Sequence, residues 1–127
     1  MAGIESLGFA TDLQDAGRWV DILHPVTGEP TGIRFKIAGP DSRRQRDARY
    51  EVAARRASGA VTASRLQAQA VAFMAACILD WKVIENGEPI PFARHQVERV
   101  LNASPIIADQ LDRALSDRVA FYPEAAE

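Results

Sequence analysis

The longest apolar run in this chain, Ala70 to Leu79, constrains its fold more than any other feature. It lies in a helix-prone stretch from about Arg65 to Asp80 that is apolar between Ala68 and Leu79 except for Gln69. A helix that is apolar on every side belongs in the centre of a domain, whereas a membrane-spanning helix needs about twenty apolar residues. We therefore expect a central core helix with Phe73 buried in it, and no membrane span.

Length and composition favour one mainly helical domain. A chain of 127 residues is enough for one domain, which at this size buries roughly two-thirds of the surface that its unfolded chain exposes. Alanine occurs 22 times and aromatic residues make up only 7% of the chain, which favours helix and disfavours an all-β fold.

A β-hairpin is predicted near the N-terminus. Residues Arg18 to Leu23 are β-prone, and Gly32 to Ile37 alternate apolar and polar side chains, as in a strand with one buried face. The segment between them contains two prolines and a glycine and must turn.

We predict that residues 1–17 are a flexible arm, 18–122 a single α+β domain and 123–127 a frayed tail.

An arginine-rich helix is predicted after the hairpin. Asp41 is a suitable N-cap for a helix from about Ser42 to Ala57, because its carboxylate can accept the free amide protons of the first turn. The apolar stripe predicted for this helix consists of Tyr50, Ala53, Ala54 and Ala57.

Two more helices are predicted after the core helix. The connector after the core helix is predicted to run from Asp80 to Phe92, where Asn86-Gly87 is a strong turn signal and favours a loop or a very small hairpin. A short helix then ends before Ser104-Pro105, and this pair starts the last helix, which reaches about Val119. The expected fold is α+β, with an N-terminal β-hairpin packed on a cluster of about four α-helices.

Positive charge is concentrated in one part of the chain. Between residues 43 and 65, seven arginines stand against two acids, so this segment carries +5 and the rest of the chain −7. Three interpretations remain: contacts with the phosphates of nucleic acid, a solvated face with internal pairs such as Glu51 and Arg55, or a docking face for an acidic protein. The negative total charge and the near absence of aromatic residues among the arginines disfavour nucleic acid.

The first arginines of this helix are placed against the helix dipole. Arg43, Arg44 and Arg46 lie near its N-terminus, where positive side chains are unfavourable. We therefore expect that reversing their charge leaves the fold stable and weakens binding of a partner. Solubility of the protein is an alternative reason for the presence of these three positive charges.

The sequence contains no local motif of catalysis or metal binding. His24 and His95 are far apart and are interpreted as structural, and Cys77 as a small buried hydrophobe. Glycine-rich phosphate loops, nucleophile elbows and zinc-protease motifs are absent from the sequence. The acidic residues that could form a catalytic pair are assigned to solvated helix faces: Glu98, Asp109 and Asp112. We expect a protein that is not an enzyme and that has no metal and no cofactor.

The order and spacing of several short motifs carry a resemblance. The motifs are residues 17–19 (GRW), 24–30 (HPVTGEP), 76–81 (ACILDW), 87–92 (GEPIPF) and 117–121 (DRVAF). Together with the arginine-rich helix, they resemble the tail assembly chaperones of long-tailed bacteriophages over about residues 17–122. Many members of that family place Ser or Thr, which can cap the next helix, where this chain has Ala93.

The resemblance implies a small virus-encoded protein of the host cytoplasm, a compartment that a single cysteine and an N-terminus without early basic residues also favour. Such a protein binds the long, hydrophobic tape measure protein, keeps it soluble, helps recruit tail tube subunits and is lost before the virion matures. Self-association is left open, and no membrane partner is expected. The alternative is a structural neck or tail component of the virion, followed by a nucleic-acid-binding accessory protein.

A chaperone of this kind needs apolar surface for its client and charge around that surface to stay soluble. The residues predicted to bind the partner are Arg43, Arg44, Arg46, Trp81 and Phe92. The favoured alternative for Trp81 and Phe92 is that the two rings close the core under the connector.

Overall fold

The computed structural model describes residues 11–56 and 59–121. Residues 11–16 are helical and are labelled α1. The following elements are β1 (Arg18–Leu23), β2 (Pro30–Ile37), α2 (Arg43–Arg56), α3 (Ala63–Cys77), β3 (Ile78–Lys82), β4 (Ile84–Glu85), β5 (Glu88–Pro89), α4 (Arg94–Ala103), α5 (Pro105–Ser116) and a 3₁₀ turn, Val119–Phe121. An antiparallel sheet has the order β1-β2-β3, and β4 pairs with β5. The prediction of an α+β fold with an N-terminal hairpin is confirmed.

The hairpin turn is organised by His24. Its Nδ1 accepts the backbone N–H groups of Val26 at 3.1 Å and Thr27 at 3.3 Å. The carbonyl of His24 accepts the N–H of Gly28 at 2.9 Å, and Gly28 has a φ of +74°, which glycine adopts without strain. The structural interpretation of this histidine is therefore consistent with its contacts.

A third strand replaces the predicted end of the core helix. The helix was predicted to reach Asp80, but α3 ends at Cys77 and β3 pairs with β2, placing Trp81 opposite Phe35. Because both the end of α3 and the start of β3 are buried, their side chains form one continuous apolar run. Periodicity cannot find a helix-to-strand boundary inside such a run. The connector was also wrongly predicted to start at Asp80.

The core combines the sheet with the C-terminal half of α3 and with α4 and α5. Its buried side chains form one cluster that includes Phe35, Ile37, Val71, Met74, Trp81, Val97, Leu101, Leu111 and Leu115. The prediction for Phe73 is wrong in one respect, because this ring packs against the cluster but is only partly buried. Full burial of a phenylalanine side chain contributes roughly 1.5–3 kcal/mol, so the partly buried Phe73 contributes only part of that free energy.

The prediction of a flexible arm is wrong for residues 11–16, which form α1 and pack on the domain. Gln14 is fully buried; its Oε1 accepts the N–H of Asp41 at 2.7 Å, and its carbonyl accepts the N–H of Gly39 at 3.0 Å. Residues 1–10 of the predicted arm and the predicted tail, 123–127, lie outside the described residues.

Helix α2 packs on a different face from the one predicted. Tyr50 is 67% exposed, and Ala53 and Ala54 are also exposed, whereas Gln45 and Ala48 are buried. Ala57, the last member of the predicted stripe, lies outside the described residues. The predicted stripe is wrong because it assumed that the apolar residues of this helix face the interior. The polar Gln45 faces the interior instead, where its side-chain amide is hydrogen-bonded.

The helix starts differ in how they are capped. Ser104 Oγ accepts the N–H of Ile107 at 3.3 Å, so the predicted start of α5 is confirmed. Helix α4 begins after Ala93, which provides no side-chain cap. Ser42 Oγ accepts the N–H of Gln45 at 3.1 Å, so Ser42 makes the capping contact predicted for Asp41. No helix within the described ranges combines the length and apolar character needed to cross a bilayer.

Candidate functional site

An open groove of about 580 Å³ lies between α2 and α3 and is the candidate binding site. Its apolar lining, which we call the floor, consists of Val52, Ala53, Ala70 and Phe73. The exposed Arg49 and Arg56 form its rim, and the buried Gln69 also lines it. We call this site the α2–α3 groove. An apolar floor with a few polar groups at its edge is the usual composition of a ligand site.

Small side chains open this groove. Ala53 on α2 and Ala70 on α3 end at Cβ, so they leave a depression between the two helices. Phe73 lies three positions after Ala70 and is therefore on the same side of α3. Its incomplete burial makes one part of its ring available to an occupant of the groove.

The two rim arginines are bonded to neutral acceptors. Arg49 donates to Gln45 Oε1 at 3.3 Å and to the carbonyl of Pro40 at 3.4 Å. Arg56 Nε donates to Gln69 Oε1 at 2.9 Å, which links α2 to α3 across the groove. Within residues 11–56 and 59–121, no carboxylate forms an ion pair with either of these guanidinium groups.

Seven other arginines of the described chain have acidic partners. The ion pairs are Arg34–Asp21, Arg43–Asp12, Arg43–Asp15, Arg46–Asp47, Arg94–Glu98, Arg99–Glu85, Arg113–Asp109 and Arg118–Asp41. Arg49 and Arg56 therefore keep a capacity for carboxylates at the edge of the apolar floor.

Apolar surface continues beyond the Arg56–Gln69 hydrogen bond. A small pocket on that side shares both residues with the groove and is also lined by Val61, Leu66 and Arg65. Val61 is 70% exposed and Leu66 is 41% exposed. Arg65 donates to two backbone carbonyls, and these hydrogen bonds hold its positive charge beside this surface.

The three arginines predicted to bind a partner do not line the groove. Arg43 Nη1 donates to Asp12 at 2.7 Å and to Asp15 at 2.9 Å. The hydrogen bond to Asp12, and after it the one to Asp15, raises the pKa of the guanidinium group. Arg44 Nη1 donates to the carbonyl of Ala76 at 3.3 Å. Arg43 thus joins α2 to α1.

Arg46 has the weakest contacts of these three. Its Nε lies 3.9 Å from Asp47, and its side chain is 57% exposed. Arg46 remains available to a partner, at a position that the groove does not include.

The two predicted aromatic residues differ in accessibility. Trp81 is only 5% exposed, its Nε1 donates to the carbonyl of Ile90 at 2.9 Å, and its ring lies edge-on to Phe35 at 5.8 Å. Phe92 lies edge-on to Trp81 at 5.9 Å and is 42% exposed. Trp81 therefore closes the core, as the alternative interpretation proposed, and Phe92 keeps one accessible face.

Cys77 is buried and lies apart from any cluster of metal-ligating side chains among the described residues. Burial raises the pKa of the Cys77 thiol to about 12, so the thiol stays protonated at neutral pH and is a poor nucleophile. No three His, Cys, Asp or Glu side chains converge within the described ranges in a way that could hold a metal ion. What the α2–α3 groove can do is cover apolar groups and bind carboxylates beside them.

The groove was missed from the sequence because Phe73 was assigned to the core. Leu66, Ala70 and Phe73 stand at i, i+4 and i+7 and share one face of α3, and this spacing was the signal in the sequence that could have indicated the groove.

Comparison of the chain with protein-family models, with curated proteins and with solved structures gave no match.

Proposed function

We propose that this protein is a non-catalytic chaperone that covers an apolar segment of a client protein in the α2–α3 groove. We further propose that it is a tail assembly chaperone of a long-tailed bacteriophage and that its client is the tape measure protein. The observation that carries the proposal is the apolar floor of the groove beside two arginines without acidic partners in the described chain.

The apolar floor of the groove favours binding of an apolar segment. Contiguous apolar surface exposed to water favours association, since each Å² removed from water contributes roughly 25 cal/mol. Val52, Ala53, Ala70 and Phe73 give the groove such a surface on two packed helices. The packing of α2 on α3 forms this surface within the domain itself, so the surface is present before a client binds.

The positive charge beside the apolar floor affects the solubility of the complex. A client with exposed apolar segments aggregates unless its complex with the chaperone is well solvated. Arg49, Arg56 and Arg65 place positive charge beside the apolar surface, which selects against basic chains, and Arg65, outside the groove, helps to keep the complex solvated.

The identity of the client comes from the resemblance. The family similarity over about residues 17–122 supports the tape measure protein as the client and recruitment of tail tube subunits as the outcome. It also supports action in the host cytoplasm and loss before the virion matures.

Co-expression tests this function. The tape measure protein, or segments that tile it, is produced in bacteria with and without this protein, and its soluble fraction is measured. We expect the tape measure protein to be soluble only with its chaperone, and purified particles to lack the chaperone. An insoluble client in both cases, together with this protein in purified particles, would contradict the proposal and support a structural virion component.

A further inference from the structure

We propose that the α2–α3 groove accepts one amphipathic α-helix of the client that carries two acidic residues seven positions apart. This inference rests on the proposed function and names the chemistry of the segment that is bound. It follows from the spacing of the rim arginines, from the groups that line the groove and from the charge of the surface.

The spacing of the rim arginines sets the spacing of the acids. Arg49 and Arg56 are seven residues apart on α2, which corresponds to two helical turns and about 10.5 Å along the axis. They therefore lie on nearly the same side of the helix. A second helix lying along the groove presents its own residues at i and i+7 with the same separation, so two carboxylates on that helix can meet both guanidinium groups.

The hydrogen bonds of the two arginines leave N–H donors free for a carboxylate. Arg49 is bonded to an amide oxygen and a backbone carbonyl, and Arg56 to the amide oxygen of Gln69. A carboxylate is a stronger acceptor for a guanidinium group than a neutral amide oxygen is. An acidic occupant of the groove can bind the guanidinium N–H groups that these hydrogen bonds leave unused, so the buried amides of Gln45 and Gln69 keep their partners and no existing ion pair is broken.

The lining of the groove favours a helix over an extended segment. The residues that line it lie within α2 and α3, whose backbone groups bond along each helix. An extended segment pressed into such a groove would lose water from its own N–H and C=O groups and gain few partners for them. A helix satisfies these groups internally and offers only side chains, as in other complexes of a helix in a groove.

The charge of the surface argues against a second copy of this chain at the same site. A twofold dimer through the groove would bring Arg49 and Arg56 of both copies together. Like charges facing each other across an interface are strongly unfavourable. A nucleic acid is also disfavoured, since the floor is apolar and Phe73 is its only aromatic side chain.

Synthetic peptides of about 15 residues test this proposal, with alanine as the main helix former and leucine at the apolar positions. The first peptide has Glu at i and i+7, the second Lys and the third Gln at the same two positions. Binding to the wild-type protein is measured by fluorescence anisotropy at low salt. Two partly exposed charge pairs should make the Glu peptide bind about tenfold more tightly than the Gln peptide, and the Lys peptide should bind most weakly.

Charge reversal on the protein supplies the second half of the test. The variant Arg49→Glu with Arg56→Glu should reverse the order and prefer the Lys peptide. The matched control is Arg99→Glu with Arg113→Glu, which changes the net charge equally at two exposed sites outside the groove and should keep the preference for Glu. The comparison of peptides on the wild-type protein stands even if a reversed variant does not fold.

Three results would overturn the inference. Equal binding of the Glu and Lys peptides would remove the acidic requirement, and no binding of any peptide, while the client still stays soluble on co-expression, would exclude a helical occupant. Displacement of the Glu peptide by a single-stranded oligonucleotide would make the groove a phosphate site. Failure of the proposed function itself is seen separately, as an insoluble client in the co-expression experiment.

Discussion

The side-chain amide of Gln110 forms two hydrogen bonds with the backbone of Leu23. Its Oε1 accepts the N–H of Leu23 at 2.8 Å, and its Nε2 donates to the carbonyl of the same residue at 2.8 Å. Leu23 is the last residue of β1, an edge strand, and Gln110 lies on α5. One side chain thus takes the place of a neighbouring strand and ties the sheet to the last helix.

The variant Gln110→Ala should lower the free energy of unfolding by about 1 kcal/mol, because both backbone groups of Leu23 lose their protein partner. Chemical denaturation measures the change. Gln67→Ala, at an exposed position of α3, is the control and should have little effect. Equal stability of both variants would show that the contact with Leu23 contributes nothing to the fold.

Reversal of Arg43 should destabilise the protein, contrary to the expectation drawn from the helix dipole. Arg43→Glu would remove the ion pairs with Asp12 and Asp15 and place a third negative charge beside them. Arg46→Glu should cost less, because Arg46 lies 3.9 Å from a single exposed carboxylate. Thermal melts at low and high salt compare the two variants, and the gap should narrow with salt. A larger cost for Arg46→Glu would contradict the role given to Arg43.

Core and groove should respond differently to truncation in α3. Met74 is buried in the core cluster, so Met74→Ala should cost roughly 2–5 kcal/mol of unfolding free energy through lost burial and a cavity. Phe73→Ala should cost less, because part of that ring faces the groove. Urea denaturation measures the loss of unfolding free energy in each variant. A larger loss for Phe73→Ala than for Met74→Ala would place the ring of Phe73 in the core.

The thiol of Cys77 should be unreactive in the folded protein. Its pKa is raised from 9.0 to about 12 by burial, so a thiol reagent at pH 8 should modify it only in denaturant. Between pH 9.0 and about 12 the unfolded chain loses this proton while the folded chain keeps it, so the contribution of the thiol to stability falls as pH rises. Rapid modification of the native protein would contradict the burial of Cys77.

Boundaries set by neighbouring residues could be predicted from the sequence. Ser104 and Pro105 start α5, and Asn86 and Gly87 turn between β4 and β5 with positive φ angles, as their residue types predict. These signals act within a few residues, so they do not depend on the tertiary fold.

Features set by distant contacts could not be predicted. Gln45 is buried because its Nε2 donates to the carbonyls of Ala38 and of Leu115, which is 70 residues away. The open side of Phe73 likewise depends on where α2 packs against α3. The candidate site was therefore only partly predicted: an arginine-rich helix was expected to bind a partner, but Arg49 and Arg56 were not singled out.

The central claim is that the client lies in the α2–α3 groove, and the neighbouring residues Ala53 and Ala54 test it most directly. Both are exposed on α2, but only Ala53 lines the groove. The variants Ala53→Arg and Ala54→Arg add the same charge and volume one residue apart, and circular dichroism verifies that both are folded.

The measurement is the amount of tape measure protein that each tagged variant retains in a pull-down, relative to wild type. We expect Ala54→Arg to retain the client at the wild-type level and Ala53→Arg to lose most of it, because an arginine there fills the groove. Equal retention by the two folded variants would contradict the claim that the groove holds the client.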